Sequence, residues 1–183
     1  AGPTGIGSAT PSPVLRNQNV VITVAATDGT AGTVNSVTVD ASAIGGSSTL
    51  ALVNSGGNVW TNSVTVPIDT IPGSITMVAT ISDTASLTAF ANIPVTVVAG
   101  NDVWNGGGAD NNFSSSLNWT NHTAPPYVGD SLQFAGTTRL APNLDNNYTV
   151  TGVLFDTTAG SFNIGSSAST LTLTNGSGVV NNS

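Results

Sequence analysis

An all-β protein is what this 183-residue sequence predicts, and three observations predict it. Charged residues make up 6% of the chain, against an average of about 25%, and Lys and Glu are absent. The usual helix-surface residues are therefore missing, and Val and Thr, which suit a pleated half-buried surface, stand in their place. Short runs rich in Val, Ile and Thr recur between clusters of Gly, Pro, Asn and Asp, which is the punctuation of strands and turns.

Residues 1–13 hold Gly, Pro, Ser and Thr with isolated apolar residues, and read as a linker or as an edge strand able to act as a donor strand. Strand chemistry follows over residues 19–26, 33–39, 49–53, 59–66, 74–81 and 87–98. Val37 and Val39, like Val64 and Val66, flank a Thr, so one face of each strand is apolar and the other carries hydroxyls. Turn signals stand at Asp28-Gly29, Gly45-Gly46, Gly56-Gly57, Pro72-Gly73 and Asp83. That spacing of short strands predicts an immunoglobulin-like β-sandwich over residues 14–99.

Residues 33–52, reading TVNSVTVDASAIGGSSTLAL, resemble the Ig-like modules repeated in large bacterial surface and secreted proteins. So do Val59-Trp60, which opens a strand ending in Thr65-Val66-Pro67, and the closing Ile93-Pro94-Val95-Thr96-Val97. The resemblance spans about residues 8–99, and without Cys there is no antibody-type Cys…Trp…Cys framework.

At Gly100 the texture changes, and aromatic residues become commoner. Val103-Trp104-Asn105-Gly106, Asn118-Trp119, Ala124-Pro125, Gly129-Asp130, Leu132-Gln133-Phe134 and Val153-Leu154-Phe155-Asp156 follow in order. This set resembles the opening of autotransporter-associated β-strand repeat proteins, whose family fold is a right-handed parallel β-helix. The resemblance implies that residues 100–183 form a second β domain, the start of such a solenoid. Apolar pairs at Phe162 and Ile164, Leu171 and Leu173, and Val179 and Val180 recur every eight or nine residues, as short strands turning solenoid corners would. The pattern stops in mid-course at Ser183, so the expectation is a section of a longer chain, or an open end completed by another subunit.

Composition excludes several functions. The net charge of −7 and the two cations, Arg16 and Arg139, leave no basic patch for nucleic acid. No run of eighteen apolar residues suggests a membrane span, and no basic segment followed by an apolar one opens the chain. The absence of Cys excludes disulfides, thiol catalysis and Cys-based zinc sites. With so few Lys and Arg, trypsin-like proteases find almost nothing to cut, which suits exposure outside the cell.

Candidate chemistry is sparse. His122 is the one histidine, in a Pro-rich loop with no Glu or Cys, so neither a zinc site nor a Ser-His-Asp triad assembles around it. All nine acids are Asp, mostly beside Gly, Asn or Thr, where Asp caps turns; they form no pair pattern of the kind a glycosidase uses. No cofactor is expected beyond a calcium ion, the metal for which oxygen ligands are in supply. Asp40, Asp69 and Asp102 are the residues to consider for it, because Ig strand order brings their loops to one end of the sandwich, although no D-x-D-x-D-G spacing is present. Asn-x-Ser/Thr acceptor sequences stand at Asn112, Asn118, Asn121, Asn147, Asn175 and Asn181. Trp60, Trp104, Trp119 and Tyr127 offer either a sugar-stacking platform or core packing.

The expectation that results is a secreted or cell-surface structural protein without enzymatic activity, part of a fibre, filament, sheath or adhesin stalk. Its partners would be copies of itself, through strand exchange by residues 1–14, or neighbouring modules of the same chain. The alternative is a carbohydrate-binding module that recognises surface glycans through exposed Trp faces.

Overall fold

The computed structural model describes residues 1–120, 126–166, 168–174 and 178–183. The protein is all-β, with 50% of residues in strands and 3% in helical turns. The chain divides into two compact units, Ala1–Val98 and Ala99–Ser183.

The first unit holds β1 (Thr4–Thr10), β2 (Val14–Leu15), β3 (Asn19–Thr27), β4 (Val34–Asp40), β5 (Leu50–Ala51), β6 (Val53–Gly56), β7 (Val59–Thr65), β8 (Gly73–Asp83) and β9 (Thr88–Val98). They form a four-stranded sheet ordered β1-β3-β7-β6 and a five-stranded sheet ordered β2-β9-β8-β4-β5. All pairs are antiparallel except β2 with β9.

Alternation explains the core. Val20, Ile22 and Val24 of β3 face Met77, Ala79 and Ile81 of β8 and Ile93, Val95 and Val97 of β9 within one buried cluster. Val37, Val39, Val64 and Val66, the valines that alternate with Thr, are each no more than 8% exposed. The intervening Thr and Ser residues meet water on the outer faces.

The N-terminal segment fills its own sheets. Residues of β1 pair with β3 in the register Thr4 to Thr27 through Thr10 to Val21, and β2 then crosses to pair with β9. Glycine is required on the inner side of β1, because a methyl group at Gly7 would stand 2.9 Å from the Asn92 carbonyl oxygen and 2.3 Å from Ile93. This edge strand closes one side of the two-sheet core.

The second unit is built from parallel strands. They are β10 (Asn101–Trp104), β11 (Ser131–Phe134), β12 (Asn143–Leu144), β13 (Tyr148–Val150), β14 (Gly152–Phe155), β15 (Gly165–Ser166), β16 (Leu171–Leu173) and β17 (Val179–Asn181). One sheet runs β10-β11-β14-β17, and β12 pairs with β15 and β13 with β16, every pair parallel and in register.

Equivalent side chains therefore stack along the unit. Trp104, Phe134 and Phe155 occupy one register position of successive strands, and Leu132, Val153 and Val179 another. Phe134 and Phe155 lie nearly parallel with ring centroids 5.1 Å apart. Trp104 and Trp119 meet edge to face at 5.2 Å. Such contacts add to the area that the rings bury.

Candidate functional site

The Asp residues are used locally. Asp40, Asp83, Asp110 and Asp156 each accept the backbone N–H two residues ahead, from Ser42, Ala85, Asn112 and Thr158 respectively. This is the Asx turn, and it is why Asp sits at strand ends here. Asp28 accepts from the Val34 N–H, Asp130 from those of Gly100 and Tyr127, and Asp145 from that of Ser114.

Hydrogen bonding holds several of these carboxyls below the usual carboxylate range. The Ser42 hydroxyl does so for Asp40, the Ser115 hydroxyl for Asp110, and the Thr158 hydroxyl, followed by the Gln133 amide, for Asp156. Burial pushes the Asp145 carboxyl upward, but the bonds from Ser114 and Tyr148 outweigh it, and the net shift is downward. Burial, then donation to Asp145, raises the Tyr148 phenol above its ordinary value. These are carboxylates committed as acceptors, an arrangement that fixes loops and leaves them ionised.

Of the three residues considered for calcium, Asp40 ends β4, Asp69 lies in the loop after β7, and Asp102 is a buried residue of β10. Among the described residues no three His, Cys, Asp or Glu side chains come together to hold a metal ion. A groove of about 540 Å³ in the first unit is lined by Ser42, Gly45, Pro67, Asp69, Thr70, Ile71 and Ile75, with Ala43 beside them. Asp69 is the one titratable group of that lining, so the groove holds no acid–base pair.

The acceptor sequences divide by position. Asn118 is fully buried, and its side chain is spent: Oδ1 accepts from the Gly108 N–H at 2.9 Å, while Nδ2 donates to the carbonyls of Asn112 at 3.0 Å and Asp110 at 3.1 Å. Asn112 is half-buried and accepts from the Asn143 amide. Asn147 and Asn181 are exposed. Asn121 and Asn175, like His122, lie outside the described residues.

Trp60, Trp104 and Trp119 do not form a sugar-stacking platform. Trp104 and Trp119 are 0% exposed and Trp60 is 8% exposed, because their rings fill the two cores. Trp119 is anchored further by donation from its indole N–H to the Phe113 carbonyl at 2.7 Å. Tyr127 is half-buried. Stacking on a sugar needs an open ring face, and these three tryptophans have none.

Two polar features were not visible as single motifs. Asn101 donates to Gln133 at 3.0 Å, and Gln133 donates to Asp156 at 2.9 Å, so one polar ladder crosses β10, β11 and the end of β14. Arg139 donates from Nε to the Gly106 carbonyl and from Nη1 to Asn111, tying the loop after β10 to the loop after β11. Residues about thirty apart meet in both cases, and only the rung spacing of the parallel stack brings them together. The surplus of Asn was the available signal.

No helix among the described residues is long and apolar enough to cross a membrane. No protein-family model matches the chain, and no curated protein is similar to it.

Proposed function

We propose that this chain is an extracellular structural segment of a bacterial-type surface protein, part of a fibre, sheath or adhesin stalk, with no catalytic role. The observation that carries the reading is the in-register parallel stack of the second unit, in which main-chain pairing continues from β10 to β17 and an aromatic column and a polar ladder join its first three strands. Elements that repeat along an axis and are cross-linked at every step suit extension and load, and the chemistry of the Asp residues is absorbed in holding turns.

The strand orders support a finer architecture. A sheet ordered β1-β3-β7-β6 sharing a core with one ordered β2-β9-β8-β4-β5 is read as an immunoglobulin-like sandwich, with its first strand divided between the two sheets. The second unit is read as the opening rungs of a parallel β-helix. Strand exchange would use the β1 to β3 register between copies in place of the pairing within one chain.

Immunogold labelling of intact cells of the native source, with electron microscopy of the released material, tests the reading. Label on the surface of intact cells and on slender projections is the expected result. Label that appears only after lysis would sink it. Exchange is tested separately with Ser8→Cys and Thr23→Cys, which face each other in register. In the doubly substituted chain an internal disulfide means pairing in place, whereas a ladder of cross-linked chains means exchange.

A further inference from the structure

One carboxylate stands apart from the rest. Of the nine Asp, seven each accept a backbone N–H, and Asp102 is buried within β10. Asp69 is exposed and, among the described residues, accepts no hydrogen bond. The turn it lies in is closed without it, by the Thr70 N–H donating to the Pro67 carbonyl at 3.1 Å. Its charge therefore does nothing for the fold.

Asp69 lines the groove of about 540 Å³ formed by the loop after β4, the loop joining β7 to β8, and the start of β8. The two loops meet at Gly45, where φ is 81° and a methyl group would stand 2.2 Å from Pro67 Cγ, so only glycine lets them close on each other. Pro67, Ile71 and Ile75 give the groove apolar walls, and Ile71 is 80% exposed. Ser42 brings a second charge to the rim, because its N–H and hydroxyl both donate to Asp40 Oδ1.

Apolar walls beside an uncommitted carboxylate match a side chain with a hydrocarbon stem and a cationic head, which is the make-up of Lys and Arg. These 183 residues do not supply that side chain. They contain no Lys, Arg16 is 7% exposed, and Arg139 donates to the Gly106 carbonyl and to Asn111 in the second unit. The net charge of −7 attracts a basic partner and repels an acidic one.

We infer that this groove binds a segment of another protein in which a Lys or Arg lies beside an aliphatic residue. The cation pairs with Asp69, and its stem and the aliphatic neighbour cover Ile71 and Ile75. The inference goes beyond the surface-stalk reading and does not need it.

Nuclear magnetic resonance titration of the whole isotope-labelled chain tests this, with the capped peptide Ala-Ile-Lys-Ile-Ala as probe and its Gln form as control. Amide shifts at Ser42, Gly45, Thr70 and Ile71 are expected with the Lys peptide, at an affinity that falls as salt is added. The Gln peptide should bind about threefold more weakly, the order of one exposed ion pair. Asp69→Asn should remove that difference between the peptides, and Ile71→Ser should weaken both. Both positions are exposed, so the spectrum of the free chain should stay dispersed as in the wild type. No shift up to about 10 mM peptide overturns the inference. So do shifts scattered away from the groove, equal affinity for the two peptides, and an Asp69→Asn chain that still prefers the Lys form.

Discussion

The Asn118 side-chain oxygen accepts the Gly108 backbone N–H at 2.9 Å inside the second unit, with no part of Asn118 exposed. The same amide donates to the Asn112 and Asp110 carbonyls, so one side chain stands in for three backbone partners of the loop that follows β10. Asn118→Ala leaves those groups without it, and a buried unsatisfied group costs about 1–3 kcal/mol. We expect a loss of about 2–4 kcal/mol in urea unfolding followed by tryptophan fluorescence. A loss within experimental error would mean that water replaces the amide.

That burial also orders the acceptor sequences. In a host that attaches N-linked sugar, Asn147 and Asn181 are expected to carry it in the folded protein, and Asn118 only in misfolded material. Peptide mass spectrometry of the soluble fraction reads this directly. Sugar on Asn118 in folded protein would contradict the packing.

Acid should act on the second unit before the first. Asp110, Asp145 and Asp156 belong to it and Asp40 to the first, and all four are held below the ordinary value of 3.8. A carboxyl with a lowered folded-state pKa contributes stability in full above its unfolded value of about 4 and loses it as pH falls through the folded one. Melting followed by tryptophan fluorescence from about pH 6 to about pH 2 should show the Trp104 and Trp119 signal failing first. Tyr148 has the opposite sign: its folded pKa is raised, so its contribution is whole below about pH 10 and lost as pH rises through the raised value. Tyr148→Phe should remove that alkaline component.

Gly7→Val tests the seat of β1. The new side chain meets the Asn92 carbonyl and Ile93, and overpacking of this kind costs about 1–3 kcal/mol. The comparison is Ile6→Val, one residue away but 79% exposed, which should change stability by less than about 0.5 kcal/mol. Equal effects from the two would mean that β1 is loosely held.

Much of this molecule could be read from its residues, and the limits of that reading are physical. The all-β class followed from composition, and Val37, Val39, Val64 and Val66 fell in the core because strict alternation leaves a half-buried strand one choice of inner face. Residues 1–13 allowed two readings, since an edge strand and a linker share the same small residues. The packing of Gly5 and Gly7 against the second sheet makes that segment part of its own core wall. For the tryptophans core packing was the favoured reading over an exposed stacking platform, and Trp60, Trp104 and Trp119 are buried. Asn118 looked like any other acceptor sequence.

By itself, then, the sequence determined the class of backbone, the strand faces and the Asx turns, all of which depend on neighbours a few positions apart. Tertiary structure decided which strands stand next to one another, that Asn101, Gln133 and Asp156 form a ladder, and that the tryptophans are buried. These depend on contacts between residues some twenty to thirty positions apart, whose pairing is set by rung length and packing and leaves no mark on any local pattern.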